Sequence, residues 1–264
     1  MVRVLVIVVA WLALAYLVVP LVVIVGASLT DSEFLAFPPQ GLTLRWYAKV
    51  FEDPSWASSF VTSTALALAS TLAAVVLAVP AALALARYEF PGRAALSALL
   101  LSPLVLPYVV LGAALLQFGG EMGLTRNFSA LLVGHVVIVT PFVMRPVLAM
   151  LSPAQRVLEE ASMDLGASPW ATFWFIVLPT IRPGLINGSI FAFITSWINV
   201  ELSVFNTHAA LNTIPVKIFN HVQYTIDPAI AAVSSITILV AGGAIVALDL
   251  TIGLNLLRGR PREP

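Results

Sequence analysis

The chain of 264 residues contains no cysteine, which excludes a disulfide framework, thiolate metal sites and a cysteine nucleophile. Charge is almost as scarce. Charged residues make up 10% of the sequence, against about 25% in soluble domains, too few to clothe a water-facing surface. Lys plus Arg and Asp plus Glu stand at 13 each, so the net charge is zero and no basic stripe points to nucleic acid. No internal repeat is visible. What the chain has in abundance is apolar sequence: 60% of it is hydrophobic, in runs that recur from end to end, so most of its surface faces lipid.

Six runs meet the roughly 17–25 residue length needed to cross a bilayer as a helix, near 4–27, 58–86, 94–118, 129–151, 183–205 and 229–257. The first follows Arg3 and ends on Val25-Gly26-Ala27, which has the look of a signal-peptidase site. A signal core is only about 7–15 residues long, so the run is expected to be a retained transmembrane helix. Turn-rich or charged segments separate the runs, among them Arg87-Tyr88-Glu89-Phe90-Pro91-Gly92-Arg93 and Gly119-Gly120-Glu121-Met122-Gly123. Placing the N-terminus inside puts Arg3, Arg87, Arg93, Arg145, Arg156, Arg182, Arg258, Arg260 and Arg262 in the cytoplasm and leaves Arg45, Lys49, Arg126 and Lys217 outside. That asymmetry predicts both termini in the cytoplasm, which an even number of spans allows. Trp46 and Tyr47, in the long outer segment, suit an interfacial aromatic belt.

The long inner segment, 152–182, is broken by Pro, Gly and charge and reads as two short helices. Ser152 is placed to cap the first, with Pro153 at its first position and Gln155 completing a capping box. Val157, Leu158, Ala161 and Leu165 recur on one face, and Arg156, Glu159, Glu160 and Asp164 take the other positions. Gly166 ends this helix, where positive φ is wanted. Ser168-Pro169 starts the second by the same logic, and Leu178-Pro179 is expected to close it. Small residues (Ala161, Ser162) beside an acid (Glu160) suit a helix that sits deep in a partner's groove; an amphipathic helix lying on the membrane is the other reading.

Glu160-Ala161-Ser162, three residues, Gly166, nine residues and Ile176-x-Leu178-Pro179 resembles the EAA motif of binding-protein-dependent ABC importer permeases, with Ser162 the one departure. Asp164-Leu165-Gly166-Ala167 fits it too. A wider likeness to permeases of the spermidine/putrescine branch takes in 41–47, 87–93 and Asn212-Thr213-Ile214-Pro215-Val216-Lys217-Ile218. The resemblance implies an all-α, MetI-like type I permease with six transmembrane helices in one domain and a cytoplasmic coupling helix-turn-helix between spans four and five. Glu160, Ala161, Asp164, Gly166, Leu178 and Pro179 would be its coupling residues. It implies three partners: cytoplasmic ATPase subunits, a second permease that in this branch is a different chain, and an external solute-binding protein. The chain has no Gly-x4-Gly-Lys-Ser/Thr phosphate loop, so ATP and Mg are expected on the ATPase and no cofactor on this chain. The place implied is a bacterial inner membrane.

Ionisable groups within spans cost on the order of 2.5–3.5 kcal/mol at a helix centre, so each is a functional candidate. Span five holds Asn187, Asn199 and Glu201. On a helix continuing to 205, Trp197 and Glu201 share a face, whereas Asn199 and Glu201 point apart. A carboxylate beside an aromatic ring binds a cationic amine by charge and cation–π attraction, which makes Trp197, Asn199 and Glu201 pathway candidates; a hydrated Glu201 at headgroup level is the other reading. Polyamine relatives carry acids nearer 198–199, where this chain has Ile198 and Asn199. A polyamine, another small amine or an amino-acid-like solute therefore stays open. Gln117 lines the pathway or is merely wet, and His135 is a proton relay or an interhelical contact. An intramembrane hydrolase would have only Ser129 and His135, which are off one face. An ion-coupled secondary transporter would call for inverted repeats or paired broken helices.

Overall fold

The computed structural model describes residues 2–225 and 227–252. It is helical, and among the described residues the only β pairing is an isolated bridge between His208 and Leu211. Among the described residues, four helices are long and apolar enough to cross a membrane, Val2–Ala27, Pro54–Arg87, Phe128–Met150 and the continuous run Pro169–Trp197, or five if a bent pair counts as one span. The contacts divide the chain into two units, Met1–Ala57 with Ile218–Pro264, and Ser58–Lys217.

In the first unit, α1 (Val2–Ala27) packs on α12 (Ala229–Ile252), which also meets α2 (Arg45–Glu52). α1 is so exposed along its length that only lipid or another protein can cover it. At its end the Tyr47 hydroxyl lies 2.7 Å from the Ser28 hydroxyl and donates to that of Ser235 at 3.1 Å, joining α1, α2 and α12. Trp46 is 6% exposed, its indole N–H donates to the Thr30 carbonyl at 2.8 Å, and the cations of Arg45 and Lys49 lie 4.7 and 5.3 Å from its ring centroid, within cation–π range.

The second unit is built around α6 (Phe128–Met150), which Asn127 caps by accepting from the Ala130 N–H. α6 packs along α9 (Leu178–Trp197), and α3 (Pro54–Arg87) lays Ala74, Ala78 and Ala82, all fully buried, into the same core. The α6–α9 seam is close because Gly184 and Gly188 have no side chain: a Cβ on Gly188 would stand 2.8 Å from the Phe142 carbonyl oxygen, and one on Gly184 2.7 Å from that of Pro146. α3 is about 50 Å long at 1.5 Å per residue, well beyond a hydrocarbon core of about 30 Å.

The expected span 94–118 is not one straight helix. α4 (Arg93–Leu101) runs into a 3-10 turn (Ser102–Leu104), and after a bend of 107° the chain resumes as α5 (Tyr108–Glu121). Pro103 and Pro107, which lack an amide hydrogen, sit on either side of the break. The expected span 183–205 starts earlier and stops sooner. α7 (Pro153–Asp164) and α8 (Pro169–Thr172) form as separate helices, but α8 continues through a π-helical turn (Phe173–Val177) into α9. Leu178-Pro179 therefore does not close a helix. The wider turn places the proline without the clash it would meet in a regular α-helix. α9 ends at Trp197, and a short break precedes α10 (Ser203–Asn206), then α11 (Ile214–Tyr224). Of the expected last span, residues 253–257 lie outside the described residues, as do Arg258, Arg260 and Arg262, on which much of the orientation argument rests.

Candidate functional site

The segment carrying the EAA pattern folds from local rules. Gly166 sits at φ 92°, with its N–H donating to the Met163 carbonyl (2.9 Å) and the Ala167 N–H donating to that of Ser162 (3.1 Å), the paired bonds of a left-handed helix end. Nothing lies within 4 Å of where a Cβ would stand, so the glycine is required by conformation rather than by space. Ser168 caps α8 by accepting from the Ala171 N–H at 3.2 Å. Ser152 makes no side-chain cap bond, and the expected capping box is absent because Gln155 turns away: its side-chain oxygen accepts from Thr180 at 3.4 Å. The Ser162 hydroxyl lies 3.2 Å from that of Thr172, bonding α7 to α8, which an alanine there would not do.

The two glutamates of α7 differ. Glu160 is exposed and pairs with Arg156 one turn earlier at 2.9 Å. Glu159, which sequence reasoning passed over, receives both Arg87 Nη2 at 2.5 Å and Arg87 Nε at 3.1 Å, and the two side chains are only 14% and 11% exposed. The forked contact moors α7 to the end of α3. Around the turn the apolar side chains face outward: Leu158, Leu165 and Phe175 are 54%, 90% and 81% exposed and line, with Ala161 and Pro179, an open groove of about 560 Å³. Asp164 is exposed and Leu178 is half-buried.

Trp197 and Glu201, expected on one helix face, do not share a helix. Because α9 ends at Trp197, Glu201 is not one helical turn further along it. The Trp197 N–H donates to Thr64 on α3 at 3.3 Å and its ring meets Phe60 edge-on at 5.4 Å. Asn199 and Glu201, which a continuous helix would point apart, are joined in the break: Asn199 Nδ2 donates to Glu201 Oε2 at 3.4 Å, while Asn199 Oδ1 accepts from the Leu202 N–H at 3.0 Å. Asn199 is buried and Glu201 exposed. Tyr108, at the start of α5 just after the other break, lies within electrostatic range of Glu201. Gln117 is exposed near the far end of α5. His135 makes interhelical contacts: Nδ1 lies 2.7 Å from Ser196 Oγ and Nε2 2.9 Å from Ser203 Oγ, so Ser129 is not its partner. Among the described residues no group of three or more His, Asp or Glu is placed to hold a metal ion.

A separate ionic cluster closes the first unit. Asp227 accepts from Lys49 at 2.8 Å and lies 3.1 Å from the His221 ring nitrogen. Burial by itself raises the Asp227 pKa, but the hydrogen bonds and charges of Lys49 and His221 outweigh it and hold the carboxyl below its ordinary value of 3.8. A depressed carboxylate stabilises the fold above its unfolded value and loses that contribution as pH falls through the folded one. Melting of the detergent-solubilised protein is therefore expected to weaken below about pH 4, and Asp227→Asn should flatten that acid limb. An unchanged limb in the variant would remove Asp227 as its source.

The chain matches the family described as binding-protein-dependent transport system inner membrane component over residues 74–252. It is 29% identical over 244 residues to the spermidine/putrescine transport system permease protein PotC of Escherichia coli (strain K12), covering 90% of this chain and 92% of that one. It is also 29% identical over 214 residues to the trehalose transport system permease protein SugB of Mycobacterium tuberculosis (strain CDC 1551 / Oshkosh), covering 79% and 78%. A chain from the crystal structure of a bacterial ABC transporter involved in the import of the acidic polysaccharide alginate shares the fold, with a TM-score of 0.69 at 16% identity and coverage of 94% and 96%. With more than half its length matched, this chain belongs to the family of binding-protein-dependent transport system inner membrane components, the permeases of ABC importers.

Proposed function

We propose that this permease forms half of a translocation pathway for a small amine, a polyamine or an amino-acid-like solute, and that α7 and α8 couple it to a cytoplasmic ATPase. The observation that carries the coupling is the outward-facing apolar turn: Leu158, Leu165 and Phe175 surround a groove on a segment that also bears Glu160, Ala161, Asp164, Gly166, Leu178 and Pro179. In water such a surface costs about 25 cal/mol per Å² of apolar area, which a protein partner would recover. ATP and Mg would act on that partner. A second permease of different sequence would complete the pathway, and a solute-binding protein would deliver from outside.

The substrate reading rests on Glu201 and Tyr108. An exposed carboxylate at one helix break, within electrostatic range of a phenol at the other, suits a cationic amine, through charge and a hydroxyl that both donates and accepts. Charge in the bilayer and broken helices each favour a transport pathway over simple packing. Six spans, formed by α1, α3, the bent α4–α5 pair, α6, α9 and α12, would place both termini and the α7–α8 turn in the cytoplasm and make the chain one transmembrane domain.

The test is co-purification. The chain carrying a C-terminal tag, extracted gently from native membranes, is expected to bring down an ATPase with a phosphate loop and a second permease. Leu165→Asp, which puts a charge on the exposed apolar face, should release the ATPase and retain the second permease. If the chain purifies alone after crosslinking through the α7–α8 turn, the coupling role is wrong and an ion-coupled transporter becomes the better reading.

A further inference from the structure

The break between α9 and α10 is held at both ends by one ring. Ser196 stands one residue before the end of α9 and Ser203 begins α10. His135 of α6 reaches the first with Nδ1 (2.7 Å) and the second with Nε2 (2.9 Å). The imidazole and the Ser203 hydroxyl are fully buried, and Ser196 is 3% exposed. Ser70 of α3 extends the set by donating to Ser196 at 3.0 Å. A neutral imidazole donates from one nitrogen and accepts at the other, and a serine hydroxyl does either, so both bonds persist in either tautomer.

The stapled segment is seated as well as tied. Leu202 is fully buried against two glycines: a Cβ on Gly112 would come within 2.9 Å of its Cα, and one on Gly134 within 2.8 Å of its Cδ2. Glu201, next to it, is exposed. A carboxylate on a helix break would ordinarily wander; here its backbone is fixed on either side by bonds to a single side chain.

We propose that His135 is a positioning residue that sets where Glu201 stands, acting through Ser196 and Ser203 rather than by touching the transported solute. The inference rests on the reading of Glu201 as a pathway residue, but its geometric half can be tested without a substrate. The chain has no cysteine, so Glu201→Cys supplies its sole thiol. In the assembled complex in membrane vesicles, the rate of labelling at position 201 by a small charged thiol reagent reads how the segment is held.

His135→Leu, which fills space without hydrogen bonds, is expected to change that rate about tenfold, the effect of roughly 1.4 kcal/mol. His135→Asn, which keeps a donor and an acceptor, should restore most of the difference. A thiol placed at Met122, on the exposed turn after α5, should label unchanged in every background. Where His135→Leu fails to assemble, Ser196→Ala and Ser203→Ala each delete one bond and make the same comparison.

An unchanged rate at 201, or a change at 201 and 122 alike, overturns the positioning role. Uptake of putrescine or spermidine by the complex carrying Glu201→Gln, with no thiol introduced, reports separately on the pathway reading and is expected to fall well below wild type. Wild-type uptake by Glu201→Gln together with a His135-dependent labelling rate sinks the pathway assignment and leaves the staple standing.

Discussion

Replacing Gly188 by leucine is expected to remove most folded protein from the membrane, and Gly184→Leu should follow it closely. The atoms that a Gly188 side chain would strike are backbone: the Phe142 carbonyl oxygen and the Val143 Cα, each 2.8 Å from the Cβ position. A flexible side chain would swing away, whereas helix backbone moves only as a body. α6 and α9 would have to separate along the seam that buries Ile138, Val143, Val147 and Ile181. The Phe142 carbonyl matters for a second reason. It lies four residues before Pro146, which has no N–H, so it lacks its ordinary helical donor. A glycine lying on it supplies weak Cα–H contacts that a leucine would push off. The loss should exceed about 3 kcal/mol, the upper range for overpacking a core, with alanine intermediate. Size-exclusion profiles and melting of the detergent-solubilised protein read this directly. Wild-type melting of Gly188→Leu would mean that the helices do not meet as closely as described.

The second large effect is expected at Arg87 and Glu159. Each side chain is largely buried and each is the other's forked partner, so Arg87→Ala leaves a largely buried carboxylate with its charge unanswered. Breaking such a pair from one side costs about 3–5 kcal/mol when burial is complete, and about 2–4 kcal/mol with the residual exposure here. Glu159→Gln retains an acceptor and should cost less. On the proposed coupling role, unmooring α7 from α3 should uncouple the complex, so that hydrolysis continues with little uptake. Glu160→Gln should be far milder for stability, since Glu160 is exposed and its pair with Arg156 is a surface pair worth at most about 1 kcal/mol. Equal stability losses at 159 and 160 would refute the assignment of the mooring to Glu159.

Both expectations turn on residues that are unremarkable in sequence. Glu159 and Glu160 are adjacent acids on a charged helix face, and only the end of α3, 72 residues earlier, separates their roles. Gly184 and Gly188 carry the small-x3-small spacing of close helix packing, but the spacing does not name the partner helix, which lies some forty residues earlier and has its own free carbonyl at the contact. His135 and its serines are 61 and 68 residues apart, so no periodicity links them.

What the sequence by itself determined is what depends on near neighbours and on solvent. Scarce charge and long apolar runs dictate a lipid-facing, helical chain, because backbone polar groups in a bilayer are satisfied within a helix. Gly166 and Ser168-Pro169 determine the turn between α7 and α8, because a left-handed residue and a capping hydroxyl act over four or five positions. Only the tertiary structure decided the rest. Whether Pro107 bends a span and Pro179 rides through a π turn depends on what packs beside each. Whether α9 stops at Trp197 depends on Asn199 bonding the Leu202 amide and on His135 bonding Ser196 and Ser203. Those bonds cross between elements, and a buried polar group takes whichever partner the fold brings within 3 Å, which local sequence does not record.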